Sequence, residues 1–476
     1  MSYTCDRNLP FHECELALLR NAVDKAEDIK GYEEANSIEI KKMIQIVETF
    51  IKDEKLICYG GTAINNILPK SDQFYDMNKE IPDYDFFSSN ALKDAKKLAD
   101  IYKKEGYVEI EAKAGQHYGT YKVFVNFTPI ADITQVNHKL FNTLFRESIV
   151  IKGIRYLPPN MLRMSMYLEL SRPAGDISRW EKVLKRLTLL NDNYPLKAQN
   201  CDYDFFSRKI ESKSIDKTKI FHASKNYLID NNCVFFGGFA HSVFMSYMNK
   251  SARKSIKEHP DFDVLSTDAK ETAYGLKALL NDKQVNDVHI FEHKNVDEIV
   301  PTHYQIKIGK DTIAFIYNTI ACYSYNTVNV ENSNIRIATI DTMLSLYLAF
   351  IYTKRNYYDT DRILCMANFL FKIQQKNRLK QKGPLKRFTI NCYGTQPTKQ
   401  SMRKEKADKF VELKDNRGTK EYEEWFLNYN PVKDNAEMKK KVNKKTKKVK
   451  KNHKKTAKRS SMKNIRKSFK KLFSPI

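Results

Sequence analysis

One short motif is written twice in this chain, and the repetition constrains the fold more than any other feature. IPDYDFF at 81–87 and HPDFDVL at 259–265 both read Pro-Asp-aromatic-Asp followed by an apolar residue. Their surroundings repeat as well. KLICYGGTAINNIL precedes the first copy and NCVFFGGFAHSVFMSYM the second, each running from a β-type segment into Gly-Gly and an apolar helical stretch. The interval from Gly61 to Asp83 differs by one residue from that between Gly238 and Asp261. A helix-forming stretch follows each motif, at about 91–105 in the first case. Strand-like segments come next, GTYKVFVNF and TPIADITQV in one copy and THYQIKIGKDTIAFIY in the other. Elements in one order at nearly one spacing imply a duplicated α/β domain.

The chain has room for it. Its 476 residues, 42% of them apolar, suffice for two or three domains with full cores. Residues 36–51 carry apolar side chains at helical spacing, with Asn36 and Glu39 placed as a capping box. The longest apolar stretch, MLSLYLAFIY at 343–352, is too short to span a bilayer and reads as a core helix. The N-terminus lacks the basic start and apolar core of a signal peptide. Eight cysteines lie scattered without Cys-x-x-Cys, which argues against a zinc site or disulfide framework and suits a reducing compartment. These signs lead us to expect a soluble, intracellular protein.

Of the formal charge of +25, the segment from Lys439 onward holds +18, with no acidic residue, leaving about +7 for the rest. So little apolar content precedes its last dozen residues that the tail is expected to be disordered. Such a run binds polyanions by counterion release, without sequence preference. A solvated tail or a nuclear-import signal has the same composition.

In the first copy, residues two apart on a strand share a face, so Asp83 and Asp85 project side by side. Two carboxylates so placed repel unless a cation lies between them. Oxygen-only ligands favour Mg²⁺ or Mn²⁺, which take the rest of their coordination from water and phosphates. Asp132, in the apolar strand PIADIT, would complete a two-metal site, one ion activating a hydroxyl and the other holding a triphosphate. Gly60 and Gly61 at a helix N-terminus let backbone N–H groups approach phosphate, with the Thr62 hydroxyl as a further donor. Each piece alone is weak; an isolated Asp-x-Asp is most often a surface turn. Together they make the signature of a polymerase β-like nucleotidyltransferase palm.

The stretches LICYGGTAINNILP, PDYDFFSSNALKDAKKLADIYKKEGY, PIADITQVNHKLFNTL and RYLPPNMLRMSMYLELSRP carry a closer resemblance. The chain resembles the poly(A) polymerase catalytic subunit of large cytoplasmic DNA viruses, nearest to the mimivirus and African swine fever virus types and more distantly to poxviruses. The specific motifs span about 40–195, and a looser likeness runs to about 430. The resemblance implies template-independent addition of AMP from ATP to an RNA 3′ hydroxyl, here the 3′ end of viral mRNA. By motif, Gly60, Gly61 and Thr62 would hold triphosphate, and Asp83, Asp85 and Asp132 would hold two ions. It also implies a place in the host cytoplasm, at the viral factory, or packaged in the virion. Poxvirus subunits carry an inactive second domain of the same kind, which fits the repeat.

Arg163, Arg172, Arg179, Lys182, Lys185 and Arg186 follow the third Asp on helical stretches, near where triphosphate and primer would enter. Of these, Arg163, Lys182 and Arg186 are taken as candidate phosphate ligands; Lys182 and Arg186, four apart, share a helix face. For any one of them, an exposed position on an amphipathic helix explains the residue equally well. Tyr167 is a candidate for adenine selection that no motif fixes. In the second copy Asp261, Asp263, Gly237 and Gly238 survive. Phe239 answers Thr62, however, and the alignment sets Phe315 where Asp132 stands. That copy is read as catalytically dead, its Asp pair kept for the fold.

The expected architecture is therefore α/β (α+β), two tandem polymerase β-like domains with the second degenerate. Its divisions are an N-terminal extension (1–35), a catalytic domain with following helices (36–198) and a degenerate domain (199–332). A helical or irregular region (333–436) and the basic tail (437–476) complete it. Partners are ATP and an RNA 3′ end, with a homodimer or a separate processivity partner, and no membrane. Two readings stay open beside poly(A) synthesis: a uridylyl- or CCA-adding transferase, since the metal site is common to all, and a non-catalytic RNA-binding scaffold.

Overall fold

The computed structural model describes residues 9–76, 78–199, 216–247 and 259–434, with positions 5, 201, 206 and 208. The expected disorder at 437–476 lies outside the described residues. In the first unit, helices α1 (Phe11–Asn36) and α2 (Ile38–Asp53) lead into β1 (Ile57–Tyr59), α3 (Gly60–Ile67), β2 (Tyr84–Ser88) and α4 (Ala91–Lys104). The hairpin β3 (Ile110–Ala114) and β4 (Thr120–Val125) follows, then β5 (Thr128–Gln135) and α5 (His138–Glu147). Strands β6 (Ile149–Ile151) and β7 (Ile154–Tyr156) and helices α6 (Pro159–Leu170) and α7 (Trp180–Asn193) close the unit.

The second unit has α8 (Lys217–Asp230), β8 (Val234–Phe236), α9 (Gly237–Met245), β9 (Phe262–Ser266) and α10 (Ala269–Asp282). Then come β10 (Val288–His293), β11 (His303–Ile308), β12 (Asp311–Asn318), β13 (Tyr323–Val330) and β14 (Ser333–Ala338). Helices α11 (Ile340–Phe350) and α12 (Thr360–Lys376) precede a last segment with β15 (Cys392–Tyr393), α13 (Lys399–Leu413), α14 (Lys420–Phe426) and β16 (Asn428–Tyr429).

The strands form two mixed sheets, β16-β3-β4-β5-β2-β1-β7-β6 and β10-β11-β12-β9-β8-β14-β13-β15. Seven strands correspond one for one in order and direction. β1 runs antiparallel to β2 and β8 to β9, while β2 is parallel to β5 and β9 to β12. Even a register shift recurs, after Val123 in β4 and after Ile306 in β11. The α/β tandem read from the repeat is thus the fold. β14 lies past 332 yet pairs with β8, so the second sheet extends beyond the stretch assigned to it from sequence.

Alternation decides which face of the first sheet carries chemistry. Along β2 and β4 every second residue is buried, including Tyr84, Phe86, Tyr121 and Val123. That face lies under α2 and α4, which are tied where the Tyr102 hydroxyl donates to the Met43 carbonyl at 2.6 Å. The opposite face keeps Asp85, Lys122 and Asp132 half-exposed. The two units pack through α6 against α11. All eleven residues of α11 are buried, and each large apolar side chain there contributes about 1.5–3 kcal/mol.

Several expectations are corrected. Ser37 separates α1 from α2, and Asn36 makes no capping box; its amide donates to the carbonyls of Tyr32 and Asn78. Cysteine sulfurs stand at bonding distance in the pairs Cys5–Cys14, Cys201–Cys365 and Cys322–Cys392. Scatter along the chain says nothing of proximity once distant segments pack together, so the argument for a reducing compartment loses its support. No helix among the described residues is long and apolar enough to cross a membrane.

The segment after α12 does not rest on the second unit alone. β15 pairs with β13 in the second sheet, whereas β16 pairs with β3 at the edge of the first. Between them Lys406 donates to the Gly115 carbonyl, Glu423 pairs with Lys96, and Trp425 lies 4.5 Å from the Tyr118 ring. This strap joins the outer edges of both sheets.

Candidate active site

Strand β1 ends in an extended Tyr59, and Gly60 turns the chain into α3 at φ +74°. An L-residue is strained there, and a Cβ on Gly60 would stand 2.6 Å from Asp85 Oδ2. The turn therefore seats the N-terminus of α3 directly against the carboxylate. The Thr62 hydroxyl donates to the Asp83 carbonyl at 2.6 Å. Thr62 is buried, so this hydroxyl fixes the strand that carries the Asp pair rather than standing free for phosphate.

Register assembles the rest. Asp85 faces Asp132 on the parallel neighbour β5, Asp132 faces Lys122 on β4, and Lys122 faces Lys113 on β3. Tyr59 on β1 completes one row across five strands: Lys113, Lys122, Asp132, Asp85, Tyr59. Asp83 lies on the loop just before β2 and is exposed. Burial, then the charges of Asp132 and Asp83, push the Asp85 carboxyl up to about 7, against the opposing pull of Lys122 and Arg179. Lys122 is ion-paired with Asp132.

This electrostatic strain is what a divalent cation relieves, and an all-carboxylate donor set suits Mg²⁺ or Mn²⁺. The residues fit such an ion in type and register. As the side chains are turned, Lys122 answers Asp132, and no three His, Cys, Asp or Glu among the described residues converge closely enough to hold an ion. The carboxylates would have to turn inward to ligate one.

On the α3 side of the row lies an open cleft of about 450 Å³, lined in part by Phe74, Tyr75, Lys182, Lys185, Arg186 and Leu189. Arg186 donates to the Tyr75 hydroxyl at 2.8 Å and lies 4.6 Å over the Phe74 ring. Gly61 faces both groups; a Cβ there would meet Tyr75 Oη at 2.3 Å and Arg186 Nη1 at 2.9 Å. Gly60, Gly61, Lys182 and Arg186 are thus brought to one side of the carboxylates. Arg163 is not: it is 1% exposed, and its guanidinium is bonded to Asn160, Asn191 and the Tyr194 carbonyl, joining α6 to α7. Tyr167 is buried, which removes it from contact with a base.

Sequence reasoning missed Lys122, Lys113, Tyr59 and Tyr75. The two lysines alternate correctly with the apolar residues of their strands, but only the cross-strand register shows that they align with Asp132.

The second sheet repeats the row as Phe291, Gln305, Phe315, Asp263, Phe236. Phe315 does stand in the place of Asp132. The remaining Asp pair is held by Arg208, whose guanidinium lies 2.5 Å from both Asp261 and Asp263 and 4.5 Å over the Phe315 ring. The Gly237 N–H, equivalent to that of Gly60, donates to the Tyr347 hydroxyl. Here the Asp pair and the N-terminus of α9 are both occupied by the protein's own side chains.

Comparison with known proteins supports the resemblance stated from the motifs. Residues 45–176 match the sequence model of the poly(A) polymerase catalytic subunit family. A protein of African swine fever virus named for that subunit is 32% identical over 180 residues, covering 37% of this chain and 38% of that protein. One of Acanthamoeba polyphaga mimivirus with the same name is 31% identical over 185 residues, covering 38% of this chain and 30% of that one. The matched stretch thus spans well under half of these relatives. The crystal structure of the Megavirus polyadenylate synthase superposes with a TM-score of 0.75 at 22% identity, covering 93% of this chain and 91% of that one. At that identity it establishes a shared fold.

Proposed function

We propose that this chain is a template-independent poly(A) polymerase, a polynucleotide adenylyltransferase that adds AMP from ATP to the 3′ end of viral mRNA. The observation that carries this reading is the register pairing of Asp85 with Asp132 beside the Gly60–Gly61 turn. Asp83, Asp85 and Asp132 would hold two Mg²⁺ or Mn²⁺ ions, which supply charge neutralisation for the attacking and leaving oxygens. The α3 N-terminus at Gly60 and Gly61 presents N–H groups to phosphate, and Lys182 and Arg186 hold triphosphate in the adjoining cleft. The RNA 3′ oxygen forms a bond to the α-phosphorus while the bond to the β-phosphate oxygen breaks. Pyrophosphate leaves and the hydroxyl proton passes to solvent.

Catalysis is assigned to 36–198, completed by β16, and the degenerate unit to 199–332, completed by β14 and β15. The second unit serves as scaffold. Exposed Phe11, Leu16, Leu19, Val23 and Ile29 on α1 favour self-association over a purely monomeric enzyme. The viral relatives support a place in the host cytoplasm or the virion.

Purified chain, a short RNA primer, Mg²⁺ and each NTP in turn test the reading. Tails with ATP alone support it. Tails with UTP or CTP indicate a uridylyl- or CCA-adding enzyme, and no extension with any NTP leaves an RNA-binding scaffold.

A further inference from the structure

The row across the first sheet is ordered, and its order has a direction. Gly60, Gly61 and Arg186 lie toward β1 and α3 from the carboxylates; Lys122 and Lys113 lie toward β4 and β3, on the other side of Asp132. Phosphoryl transfer runs with attacking and leaving oxygens roughly in line. If pyrophosphate departs toward α3, the attacking oxygen must arrive from the lysine side. Strands are about 4.8 Å apart, so the two lysine positions lie about 5 and 10 Å from Asp132 along the row.

We infer that Lys122 and Lys113 seat the last phosphodiesters of a single-stranded RNA 3′ end, a deepening that rests on the polymerase reading above. Both side chains are reachable, 41% and 45% exposed. Neither is locked: Lys113 pairs with the exposed Glu111 at 2.7 Å, and Lys122 with Asp132. The Lys113–Glu111 pair is exposed on both sides, and pairs of this kind are weak and exchange readily for a phosphate, while Lys122 shares a half-exposed pair with Asp132. Lys113 also lies 4.6 Å over the Phe124 ring, which orients its amine on the open face. The second sheet supplies an internal control. Where Asp132 is replaced by Phe315, the two lysine positions carry Gln305 and Phe291, so the cations and the third carboxylate are absent together.

The test is equilibrium binding of a short 5′-labelled oligoadenylate to the full chain by fluorescence anisotropy, without divalent metal, over a range of salt. Lys113→Gln and Lys122→Gln should each weaken binding and lower the slope of log K against log salt by about 0.7, the value for one phosphate contact on a single strand. Lys113→Arg should restore the slope, and Lys270→Gln, at an exposed position of α10, should match the parent. Parental slopes in both Gln variants would overturn the assignment. Should either variant unfold, acylation of the unsubstituted protein decides instead. RNA should shield Lys113 and Lys122 and leave Lys270 reactive, and equal labelling with and without RNA overturns the proposal. Because neither measurement needs catalysis, absence of nucleotide addition alongside a reduced slope would count against the polymerase reading alone.

Discussion

Arg208 donates to Asp263 across 2.5 Å, and Asp263 holds the position in the second sheet that Asp85 holds in the first. The two sheets present one problem, a carboxylate pair at the start of a buried strand, solved in two ways. In the second unit a guanidinium from a remote segment is built in. In the first, Lys122 is ion-paired with Asp132, and among the described residues no salt bridge reaches Asp85. The second pair is closed by the protein's own cation, and the first is not.

Removing Arg208 should therefore damage the fold. Arg208→Ala leaves buried Asp263 without its paired guanidinium and Asp261 with only Arg362, 3.8 Å away, and breaking a buried pair this way costs about 3–5 kcal/mol. Adding Asp261→Asn and Asp263→Asn should recover much of the loss. Burial raises the Asp263 pKa while Arg208 holds it down. Without Arg208 it rises further, so the deficit should be small below the unfolded carboxylate pKa and grow as pH climbs through the folded one. Urea unfolding at acidic and neutral pH checks both parts.

Asp85→Asn and Asp132→Asn should each lower AMP incorporation about 10³-fold, from a metal contribution of several kcal/mol. Asp263→Asn should leave the rate near parental, since Arg208 already occupies that site. Primer extension with ATP and Mg²⁺ distinguishes them. A dead Asp263→Asn enzyme with parental melting would refute the inert second site.

The two glycines should respond differently. At Gly60 an added Cβ meets the Asp85 carboxylate in a left-handed backbone, so Gly60→Ala should abolish extension and lower stability by about 1–2 kcal/mol. At Gly61 the obstructing atoms are the mobile ends of Tyr75 and Arg186. Gly61→Ala should fold normally and raise the KM for ATP about tenfold, the worth of one charge-assisted hydrogen bond. Melting curves and steady-state kinetics separate the cases.

Buried histidines set an acid limit. His241 has Nδ1 beside the Gly237 carbonyl and the Tyr347 hydroxyl and Nε2 beside the Met366 carbonyl, and burial lowers its pKa to about 4 against the opposing pull of the two carbonyls. His303, bonded to the Pro301 carbonyl and the Tyr357 hydroxyl, is lowered to about 3. Depressed values mean that their contribution is complete above about pH 6.5 and is lost as pH falls toward the folded pKa. His241 alone should remove roughly 3 kcal/mol by pH 4. His241→Gln should flatten the dependence of melting temperature on pH between 6.5 and 4.

The repeat was legible because it is written in the residues that turn the backbone and line one strand face: Gly60–Gly61, Asp83, Asp85 and their counterparts. Asp132 and Phe315 followed from alternation in apolar strands. Lys122 and Lys113 did not, because a lysine on a half-exposed strand is ordinary until register sets it beside a particular acid. Arg208 lies in a segment without periodicity, so nothing local ties it to a pair more than fifty residues on. Arg163 and Tyr167 misled because both sit on a helix that packs between two units, a burial no single-helix pattern shows.

β16 pairs with β3, so the first sheet is completed only once a stretch far downstream has been synthesised. More than three hundred residues separate the partners, about 15–60 s of translation at 5–20 residues per second. Through that interval the outer edge of β3 offers unpaired backbone groups to any strand that comes near. A chain released early, cut between α13 and β16, or crowded among its own copies on one messenger would meet that edge first. Yield in a heterologous host should therefore depend on how fast the ribosome reaches Tyr429.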